Sequence, residues 1–249
     1  MGRPALSSPR DTSSSESHRM ARTPTWFPLV GHSIAADDIR RPPRVATVLL
    51  AVMAAVQVVA WILPAEAQLR LMGALGASLF AQDGTLLPLR LYSLFTSWAV
   101  HDGIFHLLFN ALWIVAFGRT VVRHLGPVGF VVFFLATSAI GSIAGLAAHW
   151  GEPAVVIGAS GAVFGLIGAG AYVLTQGVSV ARKIGAMAAY VAIFMALNLG
   201  FALMGGESFG VEGAISWEAH TGGLAAGLVL FPIIAALRTG RRGPIKLVD

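Results

Sequence analysis

Five stretches of this chain, 45–63, 125–150, 153–181, 184–206 and 224–237, contain no Lys, Arg, Asp or Glu. A helix on the surface of a water-soluble core keeps a polar face toward solvent, and these runs offer none. Alone or with flanking apolar residues, each is long enough to cross a hydrocarbon core of about 30 Å at about 1.5 Å per helical residue. Composition agrees: 56% of the 249 residues are apolar and only 12% are charged, against roughly a quarter charged in an average soluble domain. Lipid is therefore the solvent for which this fold is built.

A sixth run, 99–117, is mostly apolar but holds His101, Asp102, His106 and Asn110. Arg119 and Arg123 end it, and it reads as a span. The last run extends upstream to about residue 216 and takes in Trp217, Glu218 and His220. The expected fold is an all-α polytopic membrane protein with six transmembrane helices, at about 45–63, 99–117, 125–149, 155–175, 184–204 and 216–237. Residues 1–44, rich in Ser, Pro and Arg, read as a disordered basic tail without a cleavable signal peptide. Residues 45–238 form the helical domain, and 239–249 form a short basic tail. The absence of cysteine excludes disulfides and thiol chemistry.

Charge orients the bundle. Arg40, Arg41 and Arg44 precede the first span, Arg119 and Arg123 separate the second and third, Arg182 and Lys183 separate the fourth and fifth, and Arg238, Arg241, Arg242 and Lys246 follow the sixth. Six alternating spans place all four groups on one side. The other side receives Glu66, Asp83, Asp102, Glu152, Glu207 and Glu212 against Arg70 and Arg90. The positive-inside rule then expects both termini in the cytoplasm. The basic balance reports topology and gives no case for nucleic acid, because no basic stripe alternates with stacking aromatics.

Against this background the stretch VVIGASGAVFGLIGAG, residues 155–170, carries one serine, Ser160, between Gly158 and Gly161. In the six-span reading Ser160 falls about 7 Å below the outer end of its helix. His220 lies about one turn below the outer end of the sixth span, and His106 and Asn110 lie just inside the second. Three spans thus bring Ser, His and Asn to similar depth. A serine hydroxyl becomes a nucleophile when a base within reach takes its proton, and neutral imidazole suits that task. His106 and Asn110, four apart, share a helix face and both can donate to a developing oxyanion. Gly158 leaves backbone N–H groups accessible at the helix start, that of Ser160 among them. No buried carboxylate is placed to orient His220, and Glu218 faces elsewhere, so the expected machinery is a Ser–His dyad.

Gly161 with Gly165, and Gly223 with Gly227, are four apart, a spacing that lets helix backbones approach closely. That approach brings His220 toward Ser160, with Phe164 one turn below the serine and against the imidazole. Each feature alone has a plainer reading. A membrane serine often bonds its own helix, and paired glycines are ordinary packing. His106 with Asn110 can be a structural interhelical bond, and His220 a relay or ligand. His101 and Asp102 can be caps at the water interface, and Trp98, Trp150 and Trp217 interface anchors. The joint placement favours chemistry.

Three motifs go further. HDGIFHLLFN, residues 101–110, is similar to H-x4-H-x3-N; GASG, residues 158–161, to G-x-S-G; and WEAHTGGLAAG, residues 217–227, to A-H-x-G-G with a further small residue four on. In this order, in the second, fourth and sixth spans, they resemble the rhomboid intramembrane serine proteases of the bacterial six-helix form, over about residues 40–238. The resemblance implies that Ser160 is the nucleophile and His220 its base. It implies that His106 and Asn110 stabilise the oxyanion, that His101 helps order the polar cavity, and that Phe164 takes the place of an aromatic packed on the imidazole. It implies an irregular first loop at 64–98, where Tyr92 and Ser93 stand in place of the Trp-Arg common before Leu-Phe-Thr.

The expected function is therefore an intramembrane serine endopeptidase in a bacterial inner membrane. It works through an acyl-enzyme, with no cofactor or metal, in a water-filled cavity open toward the periplasm. Its partners are transmembrane protein substrates and membrane lipid. Two alternatives stand beside it: a catalytically silent relative that binds membrane clients, and a small transporter using His101, His106 and His220 as a proton path. The dry stretch ALWIVAFG below Asn110 counts against a through-path.

Overall fold

The computed structural model describes residues 42–81, 85–204 and 216–240. The expected tails at 1–44 and 239–249 lie almost wholly outside the described residues, so the disorder expected of the first rests on sequence alone. The helices are α1 (Arg44–Ile62), α2 (Ala65–Leu75), α3 (Gly103–Ala148), α4 (Ser160–Leu174), α5 (Val180–Met204) and α6 (Trp217–Gly240), with 3-10 turns at Pro88–Phe95 and Ser97–Ala99.

Helix α3 has 46 residues, about 69 Å at 1.5 Å each, twice what a bilayer core accommodates. It breaks at Gly126, whose φ of 73° is left-handed, followed by Pro127, which has no N–H to continue the ladder. The break yields two spans, α3a (103–125) and α3b (127–148). Together with α1, α4, α5 and α6 they complete a six-span bundle, and the chain is a multi-pass membrane protein. The second span differs from its expected bounds. Arg119 and Arg123 end the apolar run but not the helix, which continues through them to the kink. Charge terminates residence in lipid, whereas backbone hydrogen bonding stops only where Gly126 and Pro127 interrupt it.

The guanidinium of Arg238 closes this turn, donating to the carbonyls of Arg123 (3.1 Å) and His124 (2.8 Å). These are carbonyls that a helix end leaves unpaired, and a cation there also meets the negative end of the macrodipole. Gly118 of α3a lies against Ala46 of α1, and Lys183 sits 4.3 Å from the ring centre of Tyr172 at the far end of α4. Arg44, Arg123, Lys183 and Arg238 therefore gather at one end of the bundle, as the alternating-span reading requires.

Between α1 and α3 the chain is irregular. Leu63 precedes Pro64 and takes extended backbone (ψ 146°), which ends α1. Helix α2 buries no side chain. Ala77 pairs with Val156 in an isolated antiparallel bridge, with N–O distances of 2.8 and 2.9 Å. Arg90 holds the loop. It donates to the carbonyls of Gly73, Ala74 (3.4 Å), Gly76 (3.2 Å) and Ser78 (3.3 Å), at the carbonyl end of α2. Tyr92 Oη donates to the Ala74 carbonyl (3.0 Å), Thr96 Oγ1 to that of Leu75 (2.7 Å). Tyr92 thus has its own anchoring bond, and the arginine that ties the loop stands two residues upstream.

Helix α4 is shorter than expected. Its 15 residues span about 22 Å, less than a hydrocarbon core. The missing length is the extended segment that pairs with Ala77, Val155-Val156-Ile157, whose β-branched side chains favour that backbone. Ser160 is consequently the first residue of its helix, not a residue more than a turn inside it.

The core is a three-helix wedge of α3b, α4 and α6. Phe130, Phe133, Phe134 and Phe231 are fully buried in it. A Cβ on Gly223 would collide with the carbonyl oxygen of Gly161, and one on Gly227 with that of Gly165. A Cβ on Gly141 of α3b would lie 2.8 Å from the carbonyl oxygen of Ala219. Backbone meets backbone along this seam. Lipid gives no hydrophobic drive between helices, so such close van der Waals packing must supply the association.

Candidate active site

The start of α4 sets the site. Gly158 has φ of 100°, a conformation that side-chain-bearing residues rarely adopt. A Cβ there would also lie 2.5 Å from His106 Nε2, so the imidazole of His106 rests directly on the glycine. The N–H of Gly158 donates to the Ser97 carbonyl (2.9 Å), and that of Ala159 to His101 Nε2 (3.4 Å). The glycine's own N–H is thus occupied. The first helical bond runs from Val163 N to Ala159 O (2.9 Å). The N–H groups of Ser160, Gly161 and Ala162 precede it and form the unpaired donor end of the helix, where negative charge is favoured. As the first helical residue, Ser160 has no preceding turn for its hydroxyl to bond. Among the described residues its Oγ makes no hydrogen bond.

His220 lies in the first turn of α6, 9% exposed. Its ring lies flat on Phe164, with centroids 4.5 Å apart and planes 5° from parallel. Phe164 and Ser160 are four apart on one face of α4, so the imidazole occupies the flank on which Ser160 sits. Its Nδ1 lies 2.7 Å from Asn198 Oδ1 of α5. Glu218 instead accepts from Ser216 Oγ (3.4 Å).

Helix α3a supplies the other wall. The N–H of Asp102 donates to His106 Nδ1 (3.4 Å). A neutral His106 that accepts there carries its proton on Nε2, the atom facing Gly158. Asn110 is fully buried. It donates one amide N–H to the carbonyl of His106 (2.9 Å), within its own helix, which leaves a second N–H. Its Oδ1 has no partner among the described residues. His101 is buried (3% exposed), not at the water interface, and its ring meets that of His106 edge-on at 5.0 Å. Gln57, the one polar side chain that α1 buries, reaches the same corner. With its amide oriented to satisfy both neighbours, it donates to the His101 carbonyl (3.0 Å) and accepts from Trp61 Nε1 (3.1 Å).

The structure thus collects Ser160, His220 and Phe164 on the α4–α6 seam, and His101, His106 and Gly158 on the α3a side of the same helix start, with Asn110 one turn further along α3a. Two contacts escaped the sequence: the hold of His101 on the residue before Ser160, and Asn198. A lone Asn in an apolar span has no spacing partner to mark it.

Residues 88–237 match the family model described as the Rhomboid domain. Over 153 residues, 61% of the chain, it is 33% identical to "Rhomboid protease GluP" of Bacillus subtilis (strain 168), covering 28% of that protein. It is 29% identical over 168 residues to "RHOMBOID-like protein 1" of Arabidopsis thaliana, covering 67% of the chain and 39% of that protein. It is 38% identical over 79 residues to "Putative rhomboid protease YdcA" of Bacillus subtilis, covering 31% of the chain and 38% of that protein. The chain therefore spans less than two fifths of the length of each of these curated relatives.

Proposed function

The chain belongs to the rhomboid family, and from that premise we propose that it is an intramembrane serine endopeptidase with Ser160 as nucleophile and His220 as base. The observation that carries this reading is the flat stacking of His220 on Phe164, one turn from a serine whose hydroxyl is uncommitted at a helix N-terminus.

In the proposed reaction Ser160 Oγ attacks the scissile carbonyl carbon while its proton passes to His220 Nε2. The oxyanion forms beside the Ser160 N–H, the Nε2–H of His106 and the free amide N–H of Asn110. His101 holds Ala159, and through it the turn that aims these donors. The imidazolium returns its proton to the leaving amine and the C–N bond breaks. Water, deprotonated by the same imidazole, then attacks the acyl-enzyme and frees the new carboxylate and Ser160. The second step needs water at a buried depth, which the polar cluster can retain.

The substrates in this reading are transmembrane or membrane-proximal segments of other proteins. The basic end of the bundle is the cytoplasmic one, in a bacterial inner membrane, with Ser160 toward the periplasm and both tails in the cytoplasm. The test is cleavage in proteoliposomes of a panel of single-span membrane proteins, with labelling by a fluorophosphonate. Wild type should cleave at least one substrate and label at Ser160. Cleavage that survives Ser160→Ala in purified protein refutes the assignment. Cysteines placed at residues 20 and 245 should be reached by impermeant reagents only from the cytoplasmic side.

A further inference from the structure

We propose that Asn198 is a positioning residue for this reaction: its side-chain oxygen holds His220 in the tautomer whose Nε2 lone pair faces Ser160. The inference rests on the dyad reading above.

Helix α5 is apolar and faces outward over most of its surface. Among its described side chains it buries only Tyr190 and Asn198, and Asn198 is fully enclosed. A buried amide surrounded by lipid-facing helices is costly unless both ends are bonded. Both are. Asn198 Nδ2 donates to the Trp217 carbonyl (3.0 Å), which can only accept. That contact fixes which end of the amide is oxygen. The oxygen then faces His220 Nδ1 at 2.7 Å, and an amide oxygen can only accept. Nδ1 must therefore carry the proton. A neutral imidazole has one N–H, so Nε2 is left with its lone pair, as a base requires. The opposite tautomer would set two lone pairs against each other at 2.7 Å.

Phe164 and Asn198 constrain different motions. Stacking on Phe164 fixes the plane of the ring but not which edge points where, since a half-turn about the ring axis preserves the stack. The bond to Asn198 selects one edge. Once Nε2 takes the serine proton, the Nδ1–H···Oδ1 bond becomes charge-assisted and strengthens. An amide does this without placing a second ionised group in a low-dielectric site. The other titratable groups around His220 are His106 of α3a and Glu218 of its own helix, the latter bonded to Ser216. Asn198 is the group that α5 brings, and α4 brings Ser160 and Phe164.

The experiment compares wild type, Ser160→Ala, Asn198→Ala and Asn198→Asp, as full chains in proteoliposomes, with a substrate that wild type cleaves. Asn198→Ala should lower kcat about 10²-fold, the lower end of what a positioned base contributes. KM should stay within about twofold, and fluorophosphonate labelling of Ser160 should slow by the same factor as kcat. Asn198→Asp should restore most of kcat. Wild-type kcat per folded molecule in Asn198→Ala, with only a lower Tm, overturns the proposal. If the Ala variant does not fold, the Asp variant decides: a kcat about 10²-fold below wild type in folded Asn198→Asp overturns it. A silent Ser160→Ala beside a fully active Asn198→Ala removes Asn198 alone. Cleavage surviving Ser160→Ala removes the dyad reading itself.

Discussion

Where α4 meets α6, glycines bring backbone against backbone, and any side chain at Gly223 or Gly227 would strike a carbonyl oxygen of the facing helix. Helix α5, of similarly apolar composition, is 6% buried over its membrane-spanning window, against 56% for α3. The same hydropathy therefore serves two purposes. In the seam it permits contact so close that the two helices have one relative position. In α5 it mostly satisfies the bilayer, and the helix is tied to the bundle by a few side chains, Asn198 and Tyr190 chief among them. The proposed nucleophile and base both ride on the seam, where an error of an ångström would disable them. The proposed tautomer-setting amide rides on the looser element.

The strongest way to break this contrast is Gly223→Leu. The obstacle is backbone, which cannot rotate away, so the loss should exceed the roughly 1–3 kcal/mol of ordinary overpacking. Little folded protein should survive thermal unfolding in detergent. A Gly223→Leu protein with wild-type Tm would show that the seam is not set by backbone contact.

Next in size is Asn110→Ala on α3a, the helix facing the seam. If its remaining N–H donates as oxyanion charge develops, kcat should fall by about 10²–10³ with little change in KM. Combined with His106→Ala the loss should be less than additive. Near-normal kcat with a lower Tm would assign Asn110 to helix structure alone.

The smallest effects belong to α5. Leu197 is 48% exposed, and Leu197→Ala should change stability by no more than about 0.5 kcal/mol. Tyr190 buries a hydroxyl that has no partner among the described residues. Tyr190→Phe removes that cost, and stability should hold or rise by about 1 kcal/mol. A large loss from either variant would mean that α5 is held as tightly as the seam.

Much of the architecture was legible because the membrane imposes a coarse rule. Charge-free length gives spans, and alternating Arg clusters give their order. The four-residue glycine spacing marked the seam, since only a missing side chain allows that contact. What escaped was local. Arg119 and Arg123 were read as the end of a helix, but ionised side chains stop an apolar run without breaking hydrogen bonds. Val155-Val156-Ile157 was read as helix because hydropathy does not distinguish helix from extended chain. Its β-branched run and the following Gly158 were the available signal. Asn198 carried little signal, because its meaning comes from a partner 22 residues away on another helix. Arg90 was similarly silent: one exposed-looking arginine in a loop gives no hint that four carbonyls await it.

The seam also has a consequence in time. Helix α6 fills the gap between α3b and α4, and it leaves the ribosome after both of them. Until it inserts, the carbonyls of Gly161 and Gly165 lack the glycine face of α6 that covers them, and Arg238 has not yet closed the α3 turn. A nascent chain with five spans in place already carries Ser160 but has no imidazole beside Phe164. Under the proposed chemistry a nascent chain therefore cannot cut anything until α6 has joined the bundle.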